Sequence, residues 1–443
     1  MRLEQEIGHK IRPTAGLEKE VKAATDRLVS AVRARTSMIE SVMEIKVVGS
    51  VAKGTYVSRP DIDVFILFSE GTPRPEMDRI GLEIGRDLLE EREERYAEHP
   101  YVHGMFDGFE ADIVPCYGIK DPSTLMSAVD RTPFHTDYML SHLKAGQRDE
   151  VRVLKQFMKG IGAYGAEAKV QGFSGYLVEL LILRYGDFRT VIERASKWKY
   201  GTKIEIEGKG QMKFDSPLVF YDPVDKNRNV ASALSTDKFA LFIHACAEYS
   251  QCPDERFFFP RKRDVLTQSQ IDDIIDSIGM KVLSVEADRP VLIDDNLYPQ
   301  ARKTLDGIAT VLEHEGFQVQ AKHLHVEKER IQWTLLLEND VLSRGRKHVG
   351  PPVWMENSQD FLRRWRAEGL GAPFIEDGRW VVFVERKFTS AKAAVEGSVQ
   401  SAAMGSAFKN VELRVFDDKE SRKGGMESAL SGMLDKRQPW EIS

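Results

Sequence analysis

Cysteine is scarce in this chain: three among 443 residues, Cys116, Cys246 and Cys252. None shows C-x-x-C spacing, so neither a disulfide frame nor a structural zinc site is expected. Long apolar runs are missing too, and nothing approaches the roughly 20 residues of a membrane span. The opening segment, M-R-L-E-Q-E-I-G-H-K, lacks the apolar stretch of a secretory signal. A cytoplasmic protein is expected. The chain has no internal repeats and no low-complexity tracts. An excess of positive charge is also absent, with 63 Lys and Arg against 69 Asp and Glu and a net charge of −6. Broad, non-specific coating of nucleic acid needs a basic surface and is excluded, which leaves only local patches. What is present suffices for a large core: 42% hydrophobic and 30% charged residues, enough for about three domains of roughly 150 residues each.

The most informative stretch is Val47 to Phe68, V-V-G-S-V-A-K-G-T-Y-V-S-R-P-D-I-D-V-F-I-L-F. An apolar strand runs into the turn Gly49-Ser50, and a second apolar strand opens with Asp61 and Asp63. Residues i and i+2 of a strand share a face, so two carboxylates stand side by side. Like charges at that distance repel, and a cation between them removes the cost. Paired carboxylates beside an anion-binding turn suit phosphoryl or nucleotidyl transfer. A P-loop is excluded, because Gly54 is followed by Thr55 and Tyr56 rather than Lys-Ser/Thr. The plainer alternative is a strand-turn-strand with a chance D-x-D on its surface.

Two-metal chemistry calls for a third acidic ligand on a neighbouring strand. The segment G-F-E-A-D-I-V-P-C-Y (Gly108 to Tyr117) puts Glu110, Asp112 and Val114 on one face, opposite Phe109, Ala111 and Ile113. Asp112 lies mid-strand, where a carboxylate without a ligand is disfavoured. Glu110 is nearer the strand start, where water can reach it. Asp112 is therefore the preferred candidate, and an edge-strand Asp facing water is the alternative.

Gly-Ser, then D-I-D, then a lone strand Asp resembles the nucleotidyltransferase superfamily that includes DNA polymerase beta. T-P-F-H-T-D-Y (Thr132 to Tyr138), L-K-Q-F-M-K (Leu154 to Lys159), G-A-Y-G-A-E (Gly162 to Glu167), G-F-S-G-Y-L-V-E-L-L (Gly172 to Leu181) and D-P-V-D-K-N-R-N-V-A (Asp222 to Ala231) narrow the resemblance to the archaeal-type, class I CCA-adding enzymes. It covers residues 1 to about 260 in strong motifs and continues more loosely beyond. The resemblance implies that Asp61, Asp63 and Asp112 bind two Mg²⁺ ions and that CTP and ATP are the substrates. It implies triphosphate contacts from Ser50, Thr132, Lys155 and Tyr164, beside the turn at Gly49. Lys53 has the right chemistry for a primer or triphosphate phosphate, and His99 and His135 match positions near the active site. Taken alone, a helical lysine reads first as a solvated charge and a loop tyrosine as packing; the resemblance singles out Lys155 and Tyr164. It also implies that Arg228 reads the Watson–Crick edges of C and A, which suits a planar fork of donors without acceptors.

The expected architecture is α+β and multidomain: a nucleotidyltransferase head with a small mixed sheet (1–136), a mainly helical central domain (137–262), and an α+β body (263–443) with an inserted tail at about 317–385. Helices are expected at 18–39, 76–96, 149–159, 231–242, 269–278, 299–315 and 358–368, with Thr267 or Ser269 as a cap. Strands are expected at 44–49, 61–68, 101–106, 109–116, 318–327, 331–337 and 379–386. The acidic run Glu90 to Glu98 reads as a solvated helix face, residues 197–210 as a short hairpin, 255–264 as a linker with aromatic anchors into the next domain, Gly350-Pro351-Pro352 as a turn, and the charged last 25 or so residues as partly mobile. His323 and His325, two apart, fit strand alternation better than a metal site. Basic stretches carrying Lys322, Arg344, Arg346 and Lys347, together with His99, are the expected RNA contacts, on the acceptor stem and elbow of tRNA; a homodimer stays open. Two rival functions stand beside tRNA nucleotidyl transfer: a poly(A) polymerase or oligoadenylate synthetase-like relative that takes ATP alone, and a non-catalytic RNA-binding relative. The loop with Arg228 and the long C-terminal region speak against the first, and retention of all three carboxylates against the second.

Overall fold

Period-two alternation in the strand Ile62–Phe68 sets the plan of the first part of the chain. Ile62, Val64, Ile66 and Phe68 are buried with Val21, Leu28 and Val32 of the helix Ala15–Thr36 and Met77, Ile80 and Ile84 of the helix Arg74–Leu88. Asp63, Phe65 and Leu67 are thereby turned to the opposite face. A computed structural model describes residues 2–96, 99–208, 210, 212–399 and 402–442. The chain divides into two compact units, Met1–Lys262 with Gln438–Ser443, and Arg263–Arg437.

In the first unit a five-stranded sheet runs in the order Val42–Val47, Ile62–Phe68, Phe109–Tyr117, Pro100–Phe106, Glu90–Tyr96. Only the pair Ile62–Phe68 and Phe109–Tyr117 is parallel; the other neighbours are antiparallel. A second core in the same unit is helical. It gathers Leu3–Ile11, Gln147–Gly160, Gly175–Tyr185, Phe188–Ala195 and Thr236–Gln251 around Phe157, which meets the rings of Phe188, Phe242, Tyr249, Phe257 and Phe258.

The second unit holds a four-stranded antiparallel sheet, Arg414–Phe416, Lys281–Asp288, Arg330–Leu337, Val319–Val326. The helix Asp294–Glu315 covers it, and the indole of buried Trp333 donates to the Ala301 carbonyl at 2.8 Å. A three-stranded sheet, Gly345–Pro352, Arg379–Glu385, Phe374–Glu376, packs on the helix Ser358–Glu368. Among the described residues no helix is long and apolar enough to cross a membrane.

Several expectations need correction. The helix expected at 76–96 ends at Leu88, and Glu90–Tyr96 is an edge strand paired with Pro100–Phe106, so the acidic run is an exposed strand; Ala97 and Glu98 lie outside the described residues. The expected hairpin at 197–210 is instead a short strand, Thr202–Ile204, parallel to the distant Leu218–Phe220; Lys209 lies outside the described residues. The helix expected from 231 starts at Thr236, capped by Ser235. Phe257 and Phe258, expected to anchor the following domain, are buried in the preceding helical core. Gly350-Pro351-Pro352 closes a strand rather than forming a turn. The last residues are held: Trp440 is buried, stacks on Phe257 at 4.9 Å and donates to Glu248 Oε2 at 2.6 Å. Thr267 caps its helix through a capping box with Gln270, as expected.

Phe157→Ala should destabilise the first unit by about 3–5 kcal/mol, through lost burial and the cavity left among five rings. Chemical denaturation checks this against Met38→Ala, which removes a side chain 92% exposed and should leave the midpoint unchanged.

Candidate active site

The parallel register of the central strands sets Asp63 opposite Asp112. Both share the face of Phe65, Leu67, Val114 and Cys116, away from the two helices. Asp61 precedes the strand and is exposed, and Asp63 is half-buried. Gly49 sits over this pair with a φ of 69°, and a Cβ on it would stand 1.9 Å from Asp63 Oδ2. Only glycine tolerates both the backbone conformation and the approach. A cleft of about 400 Å³ opens here, lined among others by Gly49, Asp63, Tyr101, Asp112, Val129 and Thr132.

The electrostatics of the carboxylates are those of a site short of positive charge. Lost hydration, then the charges of Glu110 and Asp112, push Asp61 up to about 6. Lost hydration, then Asp112 and Asp61, push Asp63 up to about 8. Asp112 Oδ1 lies 2.7 Å from His103 Nδ1, on the adjacent strand, and this hydrogen bond raises the His103 imidazole. Among the described residues no three acidic, His or Cys side chains stand together as a ready-made metal site. The donor set nevertheless fits a hard divalent cation: all-oxygen ligands, whose two crowded members take up protons unless a cation offsets their repulsion.

On the other side of the Gly49-Ser50 turn, Lys53 and Lys155 are both buried and both bound to one carboxylate, Glu179, at 2.5 and 3.3 Å. Thr55 Oγ1 donates to the same group at 2.6 Å. Burial pulls the Lys155 amine down to about 8, against the pull of Glu179. The Tyr164 hydroxyl lies beside Lys155 near Gly175, and burial raises its phenol. Ser50 follows Gly49 in the short helix Gly49–Lys53, and Thr132 opens the helix Arg131–His142.

A second hub is Asp222, also buried. His135 Nε2 lies 2.8 Å from it, the Tyr176 hydroxyl donates to it at 3.2 Å, and Arg228 Nη1 at 2.9 Å. His135 stacks on Tyr176 with centroids 4.0 Å apart. Burial alone would raise Asp222, but these donors and the Val224 amide hold it at about 2. Burial lowers the His135 imidazole against the opposing hydrogen bond to Asp222, and Arg228 adds its positive charge beside the same carboxylate. The backbone of the loop is fixed as well: Asn229 bonds Phe220 N and Leu218 O, and Arg131 Nε meets Asp225 at 2.9 Å.

Sequence reasoning missed His103, Glu179 and Asp222, and with them the donors Thr55 and Tyr176. Glu179 left a trace, since it is the one carboxylate in the apolar run G-Y-L-V-E-L-L-I-L. Asp222 opens the quoted motif Asp222 to Ala231, but nothing local marks it as the carboxylate that Arg228 and the distant His135 share; His103 left no trace, because its bond to Asp112 depends on the pairing of their two strands. His99 requires correction as an RNA contact: it is 1% exposed, with Nδ1 3.2 Å from Asp78, so it is a core residue. In the second unit Lys322 pairs with Asp306, Arg344 with Glu385 and Lys347 with Glu376, while Arg346 is exposed on the strand Gly345–Pro352. His323 and His325 lie on a strand, as alternation implied.

Gly49→Ala should lower kcat/KM for nucleotide incorporation by about 10²-fold, because Asp63 must move by around an ångström. Melting temperature should shift by only a few degrees; unimpaired turnover would show that the approach of Gly49 to Asp63 does not matter.

The family described as nucleotidyltransferase domain is matched by residues 26–135, tRNA nucleotidyltransferase, second domain, by 149–259, and CCA-adding enzyme, C-terminal domain, by 278–417. A CCA-adding enzyme of Methanosarcina acetivorans is 39% identical over 421 residues, 93% of this chain and 92% of that one. Those of Methanothermobacter thermautotrophicus and Archaeoglobus fulgidus are 43% and 41% identical over 363 residues, covering 80% and 82% of both chains respectively. Identity at that level along most of the length, together with the three family matches, means that this chain belongs to the CCA-adding enzymes, the nucleotidyltransferases that add CCA to tRNA.

Proposed function

We propose that this enzyme builds or repairs the 3′ CCA end without a template, by transferring CMP, CMP and AMP from CTP and ATP to the tRNA 3′-hydroxyl, with two Mg²⁺ ions held by Asp61, Asp63 and Asp112. The observation that carries the reading is the register that sets Asp63 opposite Asp112, beside a glycine where any side chain would displace the Asp63 carboxylate. Asp61, Asp63 and Asp112 would hold divalent metal there, which would supply acidification of the attacking hydroxyl and offset the charge of the triphosphate and its leaving pyrophosphate. The chain's own side chains bind and orient. Ser50 and Thr132 offer hydroxyls at the cleft, and Lys155 and Tyr164 offer an ammonium and a phenol to phosphate oxygens.

Arg228 is the reader of the incoming base. Its guanidinium is anchored on buried Asp222 while the side chain stays about one-third exposed, so its remaining donors are held in fixed directions. Donors without acceptors favour the edges of C and A that present matching acceptors. For the tRNA body, the open face of the three-stranded sheet sets Lys347 beside Phe374 and Phe383, both exposed, with ring centroids 5.9 Å apart. A cation next to exposed rings suits the backbone and unstacked bases of the elbow, and recognition of the acceptor stem rests on A-form shape.

The test is incorporation of each labelled nucleotide, with Mg²⁺, into tRNAs ending before the first C, the second C and the A. Two C additions and one A, then arrest, are expected; open-ended A addition would make this a poly(A)-type enzyme. Asp61→Ala and Asp63→Ala should each lower incorporation by at least about 10³-fold with tRNA affinity nearly unchanged, and near-normal activity would sink the metal assignment. Arg228→Ala should raise misincorporation of U and G more than it weakens tRNA binding, as read from the ratio of kcat/KM values.

A further inference from the structure

The helix Gly175–Tyr185 buries Glu179 at 1% exposure among leucines and valines. A carboxylate there is tolerable only when matched by donors. It has three: Lys53 Nζ at 2.5 Å, Thr55 Oγ1 at 2.6 Å and Lys155 Nζ at 3.3 Å. Lys155 also donates to the Thr55 carbonyl at 3.2 Å and shares its hydroxyl at 3.1 Å. Lys53 and Thr55 follow the Gly49-Ser50 turn, and Lys155 comes from the helix Gln147–Gly160. One carboxylate thus ties the turn beside the catalytic strand to two helices of the other core.

The charges in this network do not balance. Two buried ammonium groups face one buried carboxylate; the charges that act most on Lys155 are Glu179, Lys53 and Lys159, while Lys53 also acts on Asp63, and Glu167 and Asp61 act on the Tyr164 phenol. That phenol is a further neighbour: its hydroxyl stands 3.1 Å, and Lys155 Nζ 4.0 Å, from the point a Cβ on Gly175 would occupy. Among the groups hydrogen-bonded to Glu179 the positive charge exceeds the negative by one, beside a hydroxyl donor, and such a cluster suits an anion.

We propose that Glu179 is a positioning residue for the nucleotide triphosphate: it holds Lys53 and Lys155 in one fixed arrangement and cancels one of their two charges, leaving a single net positive charge for the phosphates. This rests on the reading of Lys155 and Tyr164 as triphosphate contacts. The role differs from packing in what it predicts. The two lysines hold the Glu179 carboxyl below its usual range against the opposing effect of burial, and burial already lowers Lys155 to about 8. Without the carboxylate the Lys155 amine falls further, so its protonated form is lost at lower pH.

The experiment is steady-state incorporation of CMP from CTP with Mg²⁺ into tRNA ending before the first C, at pH 6.5 to 9, using the full chain. In Glu179→Gln the KM for CTP should rise about tenfold or more, the KM for tRNA should stay within about twofold, and the alkaline rise in nucleotide KM should begin about one pH unit lower. A nucleotide KM and pH profile like those of the unsubstituted enzyme would overturn the proposal. Rescue by the conservative variant gives a second test: Glu179→Asp keeps the negative charge and should recover much of the nucleotide KM lost in Glu179→Gln. A Glu179→Asp variant as impaired as Glu179→Gln would show that packing rather than charge matters and overturn the proposal. Lys155→Ala separates the two readings: an unchanged nucleotide KM removes the triphosphate site itself, whereas a large rise with a normal Glu179→Gln removes only the role of Glu179.

Discussion

The strands Ile62–Phe68 and Phe109–Tyr117 run parallel in a register that sets Asp63 beside Asp112, and the carboxylates themselves oppose this arrangement. It is held from the other side of the sheet. Ile62, Val64, Ile66, Phe68, Ala111 and Ile113 are fully buried against two helices, and a slip by one residue would turn all of them outward. Apolar burial, at about 25 cal/mol per Å², thus keeps two like charges in a place where electrostatics alone would separate them. That stored repulsion is what makes the face receptive to a divalent cation. Gly49 follows from the same constraint, since a side chain there would occupy the position of Asp63 Oδ2.

Two buried carboxylates extend the logic into the helical core. Glu179 and Asp222 are each about 1% exposed, and each gathers donors from more than one segment of the chain. Neither is an efficient source of stability, because desolvation offsets most of the attraction. Each does fix cations in direction: Asp222 fixes Arg228, and Glu179 fixes Lys53 and Lys155. They differ in balance. Asp222 takes donors from Arg228, His135 and Tyr176, of which Arg228 is the guanidinium, whereas Glu179 faces two buried ammonium groups.

Errors of local reading cluster where tertiary pairing overrides propensity. E-E-R-E-E-R-Y has helical composition, yet it becomes an edge strand because Pro100–Phe106 offers a ladder and the exposed charges tolerate either state. Thr202–Ile204 was close enough to its sequence neighbours to suggest a hairpin, but it pairs in parallel with Leu218–Phe220. The charged C-terminal stretch ends in Trp440, whose ring is large enough to hold it in the aromatic core around Phe257.

By itself the sequence determined which face each of the candidate site carboxylates occupies, the turn that precedes them, and most helices and strands, because strand alternation and capping act over a few residues. It also carried the family motifs. Only the tertiary structure decided that Asp63 would meet Asp112, that His103 would bond Asp112, and that Lys53 and Lys155 would converge on Glu179. These pairings join segments up to 126 residues apart, as Lys53 and Glu179 are. Local periodicity is silent about them, because the partner of a buried charge is chosen by which elements pack together.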